Sequence, residues 1–354
     1  AITDCVCSNV TLQSYLSSCV QTSCNWADQI AAGTLQATLC QAYPKESRSL
    51  DVQLAAILCT AFLMPIVLAR FYSRWSVLGK LVMDDYMTLV ALLAHLAAAG
   101  IEIASAHKGF GKHYWHVNPE SGTLLLQLFW IVQMLYIIIL TFTKLAILFF
   151  LGRVFVTAGF RLAVRLFATF LGSTCIVFVL VVAFQCSPVS AVWDRYLEGN
   201  DRKCLNVTVA SYALAALNIL QDVLLLLLPI PWVMRLQLDL RKRIGVIVAF
   251  GLGSFACITS MIRAQHLVKF SKTLDSTWDN VDVVIWSIIE IFTALLCGSL
   301  PVIWPLLRSF MGPINSWISN VSTIPASRKT DTITSYRLRQ YPKDFTELDG
   351  SDHV

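Results

Sequence analysis

Apolar runs long enough to cross a bilayer recur seven times between residues 52 and 307, and they fix the fold class first. They cover roughly 52–71, 86–106, 123–150, 162–184, 208–234, 244–266 and 281–307. About 20 residues at 1.5 Å rise match a hydrocarbon thickness of ~30 Å. Helix is the state expected, because backbone amides in lipid must bond within their own segment. The runs "LAVRLFATFLGSTCIVFVLVVAF" and "TVASYALAALNILQDVLLLLLPIPWV" are the purest, whereas the second and sixth carry ionisable residues. The expected fold is all-α: a seven-transmembrane helix bundle at 52–308, behind a small disulfide-rich helical head at 1–45 and a linker at 46–51. A partly disordered cytosolic tail at 309–354 follows. Net charge is +5 and the basic residues flank the apolar runs, so the expected partner is lipid and not nucleic acid.

The head holds five cysteines in 40 residues: Cys5, Cys7, Cys19, Cys24 and Cys40. That density demands an oxidising compartment. No apolar run precedes Val52, so the chain is expected to start after a removed signal peptide, and an upstream piece carrying more cysteines would explain the odd count. A free or metal-binding thiol is the alternative. The pairing within the head stays open.

Three observations orient the chain with the head extracellular and the tail cytosolic. The inner loops then hold Arg70, Arg74, Lys80, Arg153, Arg161, Arg165, Arg235, Arg241, Lys242 and Arg243, against Lys108, Lys112, Arg195, Arg202, Lys203, Lys269 and Lys272 outside. The sequons at Asn9 and Asn206 both fall outside as glycosylation sites, and that at Asn320 falls inside. Cys186 and Cys204 bracket one outer loop, where a disulfide is expected, while Cys59, Cys175, Cys257 and Cys297 lie in spans and should stay reduced. The stretch "ASRKTDTITSYR" in the tail places hydroxyls beside basic residues, which suits phosphorylation or a plain solvated tail.

Ionisable residues inside spans are costly and usually face the bundle interior. Lys144, Asn218, Asp222, Arg263 and Glu290 form the expected intramembrane polar network, with Glu102 nearer the outer edge. Asn218, Gln221 and Asp222 share one helix face by their i, i+3, i+4 spacing. Lys144 is expected to pair with Asp222, or with Asp84 or Asp85 at the inner rim, and Arg263 with Glu290. Such pairs lock helices together, or line a pocket or switch, or relay protons. Pro229, Pro231, Pro301 and Pro305 are expected to bend or end spans five and seven. His107, His113 and His116 read as surface histidines in a turn. The absence of a nucleophile–base constellation points away from an enzyme.

Some of these residues carry a resemblance. Cys5-Val6-Cys7, Cys19, Cys24 and Cys40 resemble the later part of a CFEM domain, the cysteine-rich module of fungal extracellular membrane proteins, with its first cysteines upstream of Ala1. Some CFEM modules bind haem through an aspartate just before the paired cysteines, which implies Asp4 as an iron ligand; otherwise the head is a stapled adhesive or sensing cap. The body resembles the fungal rhodopsin-domain family, which includes infection-linked receptor-like proteins and membrane proteins of metabolite clusters such as the satratoxin cluster. The residues that carry this are Asp84-Asp85-Tyr86, "GFGKHYW" at 109–115, Lys144, Arg153, "FQCSPVSAVWD" at 184–194, Asn218, Asp222, "LPIP" at 228–231, Arg263 and "LPVIWPLLR" at 300–308. Residues 281–307 contain no lysine, so a retinal Schiff base there is not implied, and Gly152-Arg153-Val154 stands where animal receptors carry their acidic-Arg-Tyr triplet. The resemblance implies a receptor-like surface protein that senses extracellular or host cues, with a G protein as a possible cytosolic partner. An infection effector acting through its head, and a transporter or accessory protein of metabolite biosynthesis, are the alternatives.

Overall fold

The computed structural model describes the backbone of residues 2–193, 203–235, 240–271 and 273–321. The hydroxyl-rich tail stretch and the loop residues Arg195, Arg202 and Lys272 lie outside the described residues. The chain divides into two units, Ala1–Leu307 and Arg308–Val354, and the first holds both head and bundle.

The head is three short helices, α1 (Ile2–Ser8), α2 (Val10–Ser23) and α3 (Trp26–Leu39). Asn9 and Asn25 cap α2 and α3, each accepting from a backbone N–H three residues on. Cys7 and Cys40 are bonded, with Cα atoms 5.4 Å apart, where α1 meets the end of α3. Cys5, Cys19 and Cys24, whose pairing stayed open in the sequence, are exposed and have no disulfide partner among the described residues.

The body consists of long helices: α4 (Ser49–Leu78), α5 (Met83–His107), α6 (Pro119–Val154), α7 (Ala158–Ala183), α8 (Val207–Leu227), α9 (Ile230–Arg235), α10 (Leu240–Phe270) and α11 (Ser276–Val321). Six segments within them are long and apolar enough to cross a membrane, namely Ser49–Ser76, Met83–His107, Ser121–Val154, Ala158–Ala183, Val207–Val233 and Ser276–Ile303. The sixth expected run, 244–266, falls in α10, where side chains 241–250 lie outside the described residues. Pro229 and Pro231 sit where α8 gives way to α9, as their missing N–H groups require. α11 runs through Pro301 and Pro305 without a break in helix.

Between α7 and α8, strands β1 (Cys186–Ser187) and β2 (Lys203–Cys204) pair antiparallel, with Cys186 opposite Cys204. The expected disulfide joins them. The main apolar core lies among α4, α5, α6 and α11 and includes Leu63, Ala91, Ile139 and Leu295.

The head is clamped to the bundle by the segment Gly109–Trp115. Gly111 adopts φ +90, and a Cβ there would lie 2.7 Å from the backbone nitrogen of Ser49. Its carbonyl accepts from the N–H of Arg48 (2.8 Å), and its own N–H donates to Thr277 (3.2 Å). Only a residue without a side chain lets the linker, this loop and α11 meet so closely. Arg48 reaches Asp282 at 2.5 Å. His113 corrects the expectation of a surface histidine: it is buried, stacked between Trp115 and Trp278 with ring centroids 4.6 and 3.9 Å away, and its Nδ1 sits 2.6 Å from Asp275. Burial raises the Asp275 carboxyl above its usual value, opposed by the bond from His113 and by the N–H of Tyr114. Burial holds His116 down at about 4, with Lys45, His113 and Lys112 pressing the same way and Glu46 the other.

Candidate functional site

A chain of polar contacts crosses the middle of the bundle from α6 to α8, α10 and α11. Lys144 on α6 is 3% exposed, and its Nζ lies 2.9 Å from Asp222 on α8. It also donates toward the side-chain oxygen of Asn218 (2.7 Å), the Asn218 carbonyl (3.1 Å) and Gln221 (3.3 Å). An ammonium with three N–H donors thus faces four acceptors, all on one face of α8. The i, i+3, i+4 spacing that marked this face in the sequence is what converges on it.

Asp222 accepts from Ser260 on α10 at 2.7 Å, and Glu290 on α11 lies 2.5 Å from the same hydroxyl. A hydroxyl has one proton, so the two carboxylates compete for one donor. Asn218 donates to Glu290 at 2.7 Å and Tyr136 donates to its other oxygen at 2.6 Å. Arg263 lies 2.9 Å from Glu290 and 4.6 Å over the ring of Tyr136. Both expected pairs, Lys144–Asp222 and Arg263–Glu290, are present. Two cations and two carboxylates balance, which a buried group of charges needs in order to persist.

Space opens on both sides of this chain. Toward the head lies a cavity of about 180 Å³, lined by Glu102, Tyr136, Gln185, Arg263 and Asn280 among apolar side chains. Above it, between α2, α3 and the bundle, lies a vestibule of about 510 Å³. The two share Phe129, Gln133, Gln185, Phe270 and Asn280 as walls, so they adjoin, one lying beneath the head and the other reaching Arg263. On the other side a cavity of about 110 Å³ meets Lys144, Asp222, Ser260 and Glu290.

A second charged group lies at the end away from the head. Arg70 on α4 is completely buried. It donates to Asp84 (2.8 Å), to Asp85 (3.2 Å) and to the carbonyl of Gly298. Arg74 reaches Asp84 at 2.9 Å, and Arg153 on α6 reaches its other oxygen. Asp84 and Asp85 are therefore not partners of Lys144, because three arginines already surround them. Arg70 is likewise not a loop charge. α4 continues to Leu78 and carries Arg70 and Arg74 one turn apart toward the start of α5.

Residues 69–309 match the description of the fungal rhodopsin domain. The chain belongs to the fungal rhodopsin domain family. Proteins similar to it include a SAT4 family membrane protein of Emericella nidulans, 30% identical over 235 residues, or 66% of this chain and 59% of that protein. The chain thus spans less than two thirds of that relative's length. Another is Fugralins biosynthesis cluster protein 2 of Gibberella zeae, 28% identical over 313 residues, 83% of this chain and 76% of the relative. A third is Receptor GIN3 of Arthrobotrys oligospora, 22% identical over 263 residues, 73% of this chain and 61% of the relative. No solved structure matches. Both charged groups and both bundle cavities lie within the fungal rhodopsin domain; the head lies outside it.

The remaining expected sites lie at the head end. Asn9 and Asn206 are exposed, and each caps a helix through its side-chain oxygen. Asp4 sits on α1 and accepts from the hydroxyl of Tyr43, so an iron ligand there would have to displace that phenol. Glu102 and His113 were passed over in the sequence as a rim charge and a surface residue; one lines the cavity and the other pins the loop above it.

Proposed function

We propose that the chain is a seven-helix fungal surface protein, receptor-like, that takes a cue from the outer side beneath a CFEM-type head and transmits it through the bundle. The observation that carries this is the pair of adjoining cavities, from the vestibule under the head to Arg263, which belongs to a chain of contacts joining four helices. A ligand acts on such a chain only by binding one arrangement of it better than another. The competition of Asp222 and Glu290 for one hydroxyl supplies two arrangements. α10 serves as the sixth span. The head is extracellular and the tail cytosolic: both disulfides and the sequons at Asn9 and Asn206 gather at the head end, as an oxidising compartment requires. A G protein or another cytosolic partner reads the opposite face. The name Receptor GIN3 of one relative supports this reading. Host-derived cues during infection are the setting that a CFEM-type head suits.

The test is proximity labelling from a tag at Val354 in cells exposed to plant-surface extract or to buffer. A cue-dependent change in the labelled proteins supports the reading, and identical sets sink it. Digestion of that tag by protease added to intact cells would reverse the orientation.

Transport of a metabolite, or an accessory role in its synthesis, is the second reading. It is favoured by cavities on both sides of the ionic chain and by the relative named from the fugralins cluster. Flux into proteoliposomes tests it.

A further inference from the structure

Three side chains in the 180 Å³ cavity are nine-tenths buried and have no hydrogen-bond or ion-pair partner among the described residues. Glu102 is 8% exposed, Gln185 8% and Asn280 4%. All three line the cavity, and the two amides also face the vestibule. Buried polar groups are normally satisfied within the fold, so three left open on one cavity mark where something else supplies their partners. Charge decides what that is. Lys144 and Arg263 are balanced by Asp222 and Glu290. Glu102 has no cation, and an isolated buried carboxylate is costly until one arrives. The walls around it are apolar, including Phe129, Phe178 and Ile291.

We infer that this cavity binds a small organic cation, an amine on an apolar body, whose N–H groups are held by the carboxylate of Glu102 and the amide oxygens of Gln185 and Asn280. The amine enters through the vestibule and its body fills the apolar space above Arg263. This deepens the receptor-like reading and rests on it only for the side of entry.

The full chain in lipid nanodiscs, with its melting temperature measured against 4-phenylbutylamine, 4-phenyl-1-butanol and 4-phenylbutyrate, tests the site. The three probes share one body, so partition into lipid is common to them. The amine is expected to raise the melting temperature at concentrations where the alcohol and the acid do not. Glu102→Gln should weaken the apparent affinity for the amine on the order of tenfold, as loss of one charge-assisted bond implies, and leave the alcohol unchanged. Asn280→Ala should weaken it by a smaller factor, which keeps the test alive if the first variant does not fold. Equal shifts from amine and alcohol, an undiminished amine shift in Glu102→Gln, or no shift from any probe overturns the proposal. The receptor-like reading fails separately: an amine shift without any change in tail proximity labelling would leave the site standing and remove the signal.

Discussion

The two buried charged groups use the same residue types and are built to opposite ends. Away from the head, three arginines surround two aspartates. Asp84 takes Arg70 and Arg74 on one oxygen and Arg153 on the other, while Asp85 takes Arg70 and the N–H of Val82. Planar guanidinium groups hold such geometry rigidly. In mid-bundle a flexible ammonium meets more acceptors than it has protons, one serine hydroxyl serves two carboxylates, and cavities adjoin on both sides. The first group is a lock with redundant bonds. The second is a joint, in which the Lys144 ammonium and the Ser260 hydroxyl each face more acceptors than they can serve and cavities adjoin.

The largest effect should come from opening the lock. Arg70→Leu removes the one fully buried cation shared by both aspartates and leaves only Arg74 and Arg153 beside them, and removing one member of a buried pair costs about 3–5 kcal/mol. Folded protein in the membrane fraction should be nearly lost, and a near-normal level would break the distinction. The joint should respond less steeply. In a double-mutant cycle of Lys144→Met and Asp222→Asn, scored by melting in detergent, the double variant should be less harmed than the sum of the singles, with a coupling of ~1–3 kcal/mol. Simple additivity would mean that the two residues are not partners. The clamp under the head gives an intermediate scale. Gly111→Ala places a Cβ against the backbone of Ser49 at positive φ, for a loss of about 1–3 kcal/mol. No loss would show that the linker can move away.

The smallest effect is a pH response confined to that clamp. His116 is held at about 4 against an ordinary 6.5, so its contribution is full above pH 6.5 and is lost as pH falls toward 4. Asp275, raised by burial, acts in the opposite sense, because protonation relieves its penalty. The melting temperature should fall slightly between pH 6.5 and 4, and less so in His116→Asn. An equal fall in both would assign it elsewhere.

Lys144–Asp222, Arg263–Glu290 and Cys186–Cys204 were legible because each is a rare residue in a setting that demands a partner: a charge within an apolar run, or a cysteine pair bracketing one loop. The lock was missed because apolarity ends at Phe71 while the helix does not. Arg70 and Arg74 look like flanking charges until their i, i+4 spacing is set against the acidic pair that opens the next span, which is the signal that could have found them. His113 was misread because its burial comes from Trp115 and Trp278, the second of them 165 residues away. Glu102, Gln185 and Asn280 carry no local pattern at all; only the fold brings them to one cavity.

The same substitution made in both groups tests the distinction between lock and joint most directly. Asp84→Asn and Asp222→Asn each remove one carboxylate charge and keep the shape, and melting of the purified full chain compares them. Asp84→Asn leaves three arginines crowded around a single remaining aspartate and should cost about 3 kcal/mol or more. Asn at 222 keeps one oxygen for Lys144 and turns its NH2 to donate to the Ser260 hydroxyl, while Asn218 and Gln221 still accept from the ammonium, so it should cost about 1–2 kcal/mol. Equal losses, or the greater loss at Asp222, would contradict the account.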